Sequence, residues 1–158
     1  MKIYIITIGN RFPAWVNEAL DRYVARLDTD FSLVIKKIKP VSIKKNRGQN
    51  VGTILAAEAK KLASHIPKNS FTVALDEKGK NFDTGKFHDK FNVWVESGKA
   101  LCFLIGGSDG IDKNIKSKSD FLLSLSPMTL THHLALVVLT EQIYRVVSIM
   151  KNHPYHRS

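Results

Sequence analysis

Ala100-Leu101-Cys102-Phe103-Leu104-Ile105-Gly106-Gly107-Ser108-Asp109-Gly110 is the stretch whose reading decides the fold. Six consecutive apolar residues run into a turn with three glycines in five positions. A strand with one wet face alternates apolar with polar residues. This one has no polar position, so both of its faces are buried, as in a parallel sheet covered by helices. The glycines let the chain turn sharply and let a ligand approach the backbone at the strand's carboxyl end. A tight connection with no ligand would use the same residues, and the turn alone does not separate the two. Gly106 and Gly107 are adjacent, so the G-x-G-x-x-G spacing is missing, and no Gly-Lys-Ser/Thr follows. Dinucleotide and Walker-type sites are therefore disfavoured.

Outward from this stretch, strands and helices alternate. Residues 3–8 read as a first strand buried on both faces and broken by Gly9-Asn10. A helix starts near Pro13, at a first helical position, with Trp15, Ala19, Leu20, Tyr23 and Leu27 as its apolar stripe. Residues 31–38 form a second strand, 40–52 a polar, basic loop, 55–66 a helix ended by Pro67, and 71–75 a third strand. Residues 76–80 read as a turn containing Gly79. Thr84 is expected to cap a helix striped by Phe87, Phe91, Trp94 and Val95 and stopped by Gly98. After the glycine turn come a short helix at 112–117, a strand at 121–125, a loop at 126–131 and a last helix at 132–150. The pattern is that of one α/β domain over residues 1–158 with a parallel sheet. One pocket is expected beyond the strands' carboxyl ends, among the loops after Leu75, Ile105 and Leu125.

Composition bounds the function. Hydrophobic residues make up 44% and charged residues 24%, which is globular and not disordered. No apolar run is expected to span a bilayer, and residues 1–9 read as a buried strand, not as a signal peptide. Lys and Arg number 24 against 14 acids, a net charge of +10 that favours polyanions. Lys36, Lys37, Lys39, Lys44, Lys45 and Arg47 fall within twelve positions, and Lys113, Lys116 and Lys118 follow the glycine turn. These are either a solvated surface or a nucleic-acid footprint. The single Cys102, among apolar neighbours, is expected to be a buried thiol in a cytoplasmic protein.

Three further segments carry chemistry. Leu125-Ser126-Pro127-Met128-Thr129-Leu130 mixes apolar side chains with proline-freed backbone. It suits either the enclosure of an adenine ring or a core crossing. On the last helix, Glu141 and Arg145 are four apart and share a face. They form either a surface ion pair or, because the helix is apolar almost all round, part of a subunit interface or site. The chain then ends His153-Pro154-Tyr155-His156-Arg157-Ser158. Two imidazoles, a phenol and a guanidinium can stack on a base, hold an anion and move a proton. A frayed tail is the alternative. His132-His133 and His153-x-x-His156 match no common zinc spacing, so no metal is expected, and His132 is read as capping or orienting the last helix.

Taken together, these segments resemble the RlmH family of the SPOUT methyltransferase superfamily over nearly the whole chain. The likeness rests on the opening strand with Pro13-x-Trp15, Leu75-Asp76-x-x-Gly79-Lys80, Ile105-Gly106-Gly107-x-x-Gly110, Leu125-Ser126-x-x-Thr129-Leu130-x-His132, Glu141-Gln142-x-Tyr144-Arg145 and Asn152-His153-Pro154-Tyr155-His156-Arg157. Pro127, Thr131 and His133 vary the loop. The resemblance implies a Rossmann-like α/β fold with a C-terminal trefoil knot, and a homodimer whose site is completed by the partner's tail. It also implies S-adenosylmethionine as cofactor and N3 of a pseudouridine in large-subunit ribosomal RNA as the methyl acceptor. Cofactor contacts carry over to Leu75, Gly106 and Leu125 through Leu130 (Ser126, Pro127, Met128 and Thr129 between them), with Gly107 beside them. Arg145 or Arg157 would stabilise developing charge; Glu141, Tyr155 or His156 would relay the proton, or Tyr155 would stack on the base. The rivals are a non-catalytic ribosome-associated RNA-binding protein and an enzyme acting on another RNA nucleoside.

Overall fold

The structure, a computed structural model, describes residues 1–41 and 50–156, and of His156 the backbone alone. Among these, the strands Lys2–Ile8 (β1), Ser32–Ile38 (β2), Ser70–Asn81 (β3), Ala100–Ile105 (β4) and Phe121–Ser124 (β5) lie in one sheet. Every pairing is parallel and the order is β2-β1-β4-β3-β5. The chain leaves β1 toward β2 on one side and leaves β4 toward β5 on the other. Carboxyl ends on either side of such a reversal open a crevice, which is where open α/β sheets bind ligands.

The helices Ala14–Val24 (α1), Val51–His65 (α2), Thr84–Glu96 (α3), Lys113–Lys118 (α4) and His132–Met150 (α5) cover both faces. Strand alternation sorts the core. Ile3, Ile5, Leu101, Phe103 and Ile105 face α1, α3 and α5, meeting Val16, Leu20, Phe91, Trp94, Leu136, Leu139 and Ile143. Ile6, Ile8, Cys102 and Leu104 face α2 and α4, meeting Leu62 and Ile115. Phe91 and Phe103 are fully buried. Each such side chain contributes roughly 1.5–3 kcal/mol by leaving water.

Several boundaries differ from the expected ones, each for a local reason. Pro13 is the N-cap of α1, outside the helix, and this phase turns Val16 and Leu20 inward while Trp15 stays 48% exposed. The second strand begins at Ser32, after Phe31. α2 begins at Val51, because the Asn50 side chain accepts a hydrogen bond from the Gly52 N–H at 3.2 Å. Asp83, not Thr84, caps α3, accepting from the Lys86 N–H at 2.8 Å. Thr131, not His132, caps α5. Asp112 caps α4 from outside it, and β5 ends at Ser124.

β3 runs past the expected turn. Leu75 and Lys80 both pair with Leu123, so the residues between them leave the ladder and return to it. Gly79 allows the return: a Cβ there would lie 2.7 Å from the Leu123 carbonyl carbon. α5 also departs from expectation, being long and apolar enough to cross a membrane: it has 19 residues, with mean hydropathy 1.3 over an 18-residue window. Its Leu136, Leu139, Ile143, Val146 and Val147 are instead buried in the protein's own core.

Candidate active site

A cavity of about 450 Å³ opens at the carboxyl ends of β3, β4 and β5. That volume suits one cofactor-sized ligand. Its walls are three segments: the excursion of β3 (Leu75 to Lys78), the glycine turn after β4 (Ile105 to Ile111), and the run from Leu123 into α5, with Met128, Thr129, Leu130 and His132. The expected pocket and its three loops coincide with it. Leu75, Gly106, Gly107, Leu125, Ser126, Met128, Thr129 and Leu130 all line it; Pro127 does not.

The glycine turn is shaped by its own backbone. The Gly110 N–H donates to the Gly107 carbonyl at 3.1 Å, and Gly110 has φ +80°. A Cβ on Gly106 would lie 2.1 Å from the Gly110 carbonyl oxygen. No other residue type fits there without opening the turn. Behind Gly107 lies buried Glu58, whose Oε1 accepts from the Val41 N–H at 3.3 Å.

Polar side chains tie the walls together. Lys116 Nζ donates to Asp76 Oδ2 at 2.8 Å, and Asp76 Oδ1 accepts from the Lys78 N–H at 2.9 Å. Burial alone would raise the Asp76 carboxyl, but these partners hold it below the ordinary carboxylate value. Thr129 Oγ1 donates to Glu77 Oε2 at 3.0 Å, linking two lips of the cavity. His132 also faces it; burial, then the neighbouring His133, lowers its pKa from the ordinary value. The lining therefore combines leucine side chains, exposed backbone and charges of both signs. It can take a ligand with an apolar ring, hydroxyls and a charged end. Among the described residues no group of three or more His, Cys, Asp or Glu could hold a metal ion.

A second cluster stands on α5 beside the tail. Glu141 Oε1 accepts from Arg145 Nε at 2.9 Å, from an Arg145 terminal nitrogen at 2.7 Å and from the Tyr155 hydroxyl at 3.2 Å. Its Oε2 accepts from Gln142 at 2.7 Å. The Arg145 and Arg26 guanidiniums lie 5.0 and 5.6 Å from the Tyr155 ring centroid, and Tyr144 meets that ring edge-on at 4.6 Å. Burial, then Tyr23, pushes the Tyr155 phenol up to about 12. The Glu141 hydrogen bond, first among the causes, raises the Arg145 pKa. With four donors on it, the Glu141 carboxylate holds Arg145 and Tyr155 in place.

Within one chain the two clusters do not meet. Glu141 is nine residues beyond His132 on α5. That is about 13 Å up the helix and half a turn around it. Of the expected catalytic set, Glu141, Arg145 and Tyr155 stand together away from the cavity; the His156 side chain and Arg157 lie outside the described residues. Asp76, Lys116 and the cavity role of His132 were missed. The loop after Leu75 is expected at the pocket; what local composition does not report is that Lys116, reaching from α4, pairs with Asp76 there.

The basic residues divide similarly. Lys37 Nζ lies 4.5 Å from the Phe12 ring centroid, Lys36 Nζ lies 5.4 Å from that of Tyr4, and Lys116 is the partner of Asp76. Lys44, Lys45 and Arg47 lie outside the described residues. Cys102 is buried, and burial pushes its thiol up to about 12.

Comparison with known proteins adds the last finding. The profile of a family described as "Predicted SPOUT methyltransferase" matches residues 1–156. The chain is 40% identical over 157 residues to the ribosomal RNA large subunit methyltransferase H of Neisseria meningitidis serogroup C, covering 99% of each chain. It is 37% identical over 158 residues to the protein of that name from Burkholderia vietnamiensis, covering 100% of both. Against the Paraburkholderia phytofirmans protein the figure is 38% over 157 residues, 99% of each.

Proposed function

This chain belongs to the SPOUT methyltransferase family, and from that premise we propose that it transfers a methyl group from S-adenosylmethionine to N3 of a pseudouridine in large-subunit ribosomal RNA. The relatives' names support the RNA substrate. The observation that carries the activity is the cavity walled by the Gly106 turn and the 123–130 loop. Its size and mixed lining fit the cofactor: leucines for an adenine, freed backbone for its ring edge, and Asp76, Glu77 and Lys116 for polar and charged ends. The holding residues would be Leu75, Gly106, Gly107 and 125–130. When bound, S-adenosylmethionine supplies a methyl group already electrophilic on its sulfonium, so the chemistry needs no metal.

The protein's task is then to hold the acceptor nitrogen in line, to keep water out and to manage one proton and the charge it leaves behind. Arg145, held by Glu141, is a cation for the base's carbonyl oxygens, with Arg157 as a second. Tyr155 would stack on or orient the base, beside His156. A single chain leaves these groups about 13 Å along α5 from the cavity. A second copy would solve this by laying its tail across the first copy's cavity. The half-exposed α5 face carrying Val138, Glu141, Gln142 and Arg145, with Leu134 44% exposed below it, supports such a homodimer. The C-terminal segment would thread the loops around the cavity as a trefoil knot. The whole of 1–158 would act as one cytoplasmic domain, and the +10 charge would supply salt-sensitive contact with ribosomal phosphates.

Two measurements test this. Calorimetric titration with S-adenosylmethionine should show binding. Mass spectrometry of ribosomal RNA from cells with and without the protein should show one methylated pseudouridine that depends on it. Binding with no change in the RNA would leave the RNA-binding rival standing; a different modified nucleoside would replace the substrate assignment.

A further inference from the structure

His132 is a residue that the proposed machinery does not use. Because Thr131 caps α5, the His132 ring is free of that work, and it lines the cavity. Its Cδ2–Nε2 edge rests over Gly9, with both atoms 3.7 Å from where a Cβ would stand. Gly9 has φ +146°, and its N–H donates to the Ile38 carbonyl at 2.8 Å, so the backbone beneath the ring is fixed. On another side lies the His133 ring, centroid to centroid 4.0 Å, and His133 meets Phe12 edge-on at 5.1 Å. The ring is therefore held in place by packing. Among the described residues neither of its nitrogens has a hydrogen-bond partner, and neither is sealed from solvent. An imidazole held in place, with unpartnered nitrogens open to solvent, on a residue that lines the cavity has the geometry of a proton acceptor.

Of the other titratable groups around it, His133 has its Nε2 buried out of reach and without a partner, and the rest among the described residues are engaged or carry the wrong charge. Asp76 is held by Lys116 and the Lys78 N–H. Glu77 accepts from Thr129, and Asp109 from the Ser108 hydroxyl. Lys78 and Lys116 are cations, and Lys37 sits over Phe12 behind His133. Of the tail groups, Tyr155 donates its hydroxyl proton to Glu141, which is saturated.

We propose that His132 is the catalytic base that accepts the proton from the ring nitrogen being methylated. The acceptor nitrogen gives its proton to the open His132 nitrogen and bonds to the methyl carbon. The carbon–sulfur electron pair stays on sulfur, which becomes a neutral thioether, and the imidazolium returns its proton to water. An imidazole that burial and His133 keep below 6.5 is neutral at pH 7 and ready to accept. The inference rests on the methyltransferase reading and assigns the step that reading leaves open.

The test uses the full-length protein and His132→Asn. First, the His132 imidazole resonances, identified by their loss in H132N, are titrated by NMR. They should titrate below 6.5 and shift when S-adenosylhomocysteine is added. A pKa at or above 6.5, or no response to the ligand, overturns the proposal. Second, single-turnover methyl transfer to large-subunit RNA is followed against pH. The wild type should slow on the acid side as the imidazole protonates. H132N should bind S-adenosylhomocysteine normally, transfer roughly 100-fold or more slowly, lack that acid limb and recover in part with added imidazole. An unchanged rate or limb overturns the assignment, as does loss of S-adenosylhomocysteine binding in H132N or absence of imidazole rescue. If the wild type itself transfers no methyl, the methyltransferase reading falls, a result distinct from each of these.

Discussion

Replacing Gly106 with alanine adds one carbon where the glycine turn folds onto itself. The new Cβ would stand 2.1 Å from the Gly110 oxygen, 2.3 Å from its carbonyl carbon and 2.9 Å from Ile111 Cγ1. Two of those three are backbone atoms, so no side-chain rotation relieves the contact. The turn must open by more than about 1 Å to restore van der Waals distance. Overpacking of this kind costs about 1–3 kcal/mol. In a chain of this length that lowers Tm by several degrees. The cavity should suffer more than the fold, because residues 105–111 are one of its walls. Misplacing a positioning element by about 1 Å costs on the order of 100-fold in what it positions. Calorimetry with S-adenosylhomocysteine should therefore show roughly 100-fold weaker binding in G106A, beside a folded circular-dichroism spectrum. Gly85→Ala, in the first turn of α3, is the control, since its Cβ would stay 3.5 Å from the nearest atom, Oδ1 of the capping Asp83. It should stabilise the protein by roughly 0.5–1 kcal/mol through helix propensity. A G106A protein that binds and melts like the wild type would refute the steric reasoning.

Glu141→Gln removes the charge that fixes Arg145 and should lower methyl transfer at least about 10-fold, by weakening a charge-assisted pair, while S-adenosylhomocysteine affinity stays unchanged; equal loss of affinity would put Glu141 in the cavity instead. Removal of residues 155–158 should abolish transfer and spare cofactor binding and dimerisation, and normal turnover in that truncation contradicts the role of the tail. Charge reversal at Lys44, Lys45 and Arg47 should weaken ribosome co-sedimentation and flatten its salt dependence, with no change in cofactor affinity; unaltered sedimentation would make the segment a solvated loop. The Tyr155 phenol, raised from 10.0 to about 12, contributes to docking of the tail while it is protonated. That contribution is complete below pH 10 and is lost as pH rises toward 12, so a tyrosinate absorbance titration should show one late phase that is missing in Tyr155→Phe.

Element type was legible where one physical signal dominated. β4 coincides with its expected bounds because six apolar residues in a row leave no alternative to a doubly buried strand. α5 does so because nineteen residues carry no breaker. Capping residues misled where two candidates were adjacent. Asp83 and Thr84 are both competent caps, and so are Thr131 and His132 by appearance. The choice falls to the residue whose backbone is extended, at ψ 167° for Asp83 and 152° for Thr131, which local sequence does not report. Trp15 was assigned inward because it is large and apolar. Val16 and Leu20, four apart, are the buried positions of α1, and Trp15, one residue off that line, points outward.

The site was half legible for a related reason. Glycines and a proline-interrupted apolar loop advertise a ligand cavity through their chemistry, and eight of the nine residues expected to line it do so, Pro127 being the exception. Of what reads as one catalytic group along the chain, Glu141, Arg145 and Tyr155 are together in space but stand apart from the cavity of their own chain.

Chain order alone settled the alternation of strands and helices, the doubly buried sheet and the loops that bear chemistry, because burial pattern and backbone freedom are local properties of residue type. The order of strands across the sheet, the return of β3 onto β5 at Gly79, and the pinning of His132 over Gly9 were decided by the tertiary structure. Each of these depends on which distant backbones come within a few ångströms of each other, and that distance is a property of the packed whole.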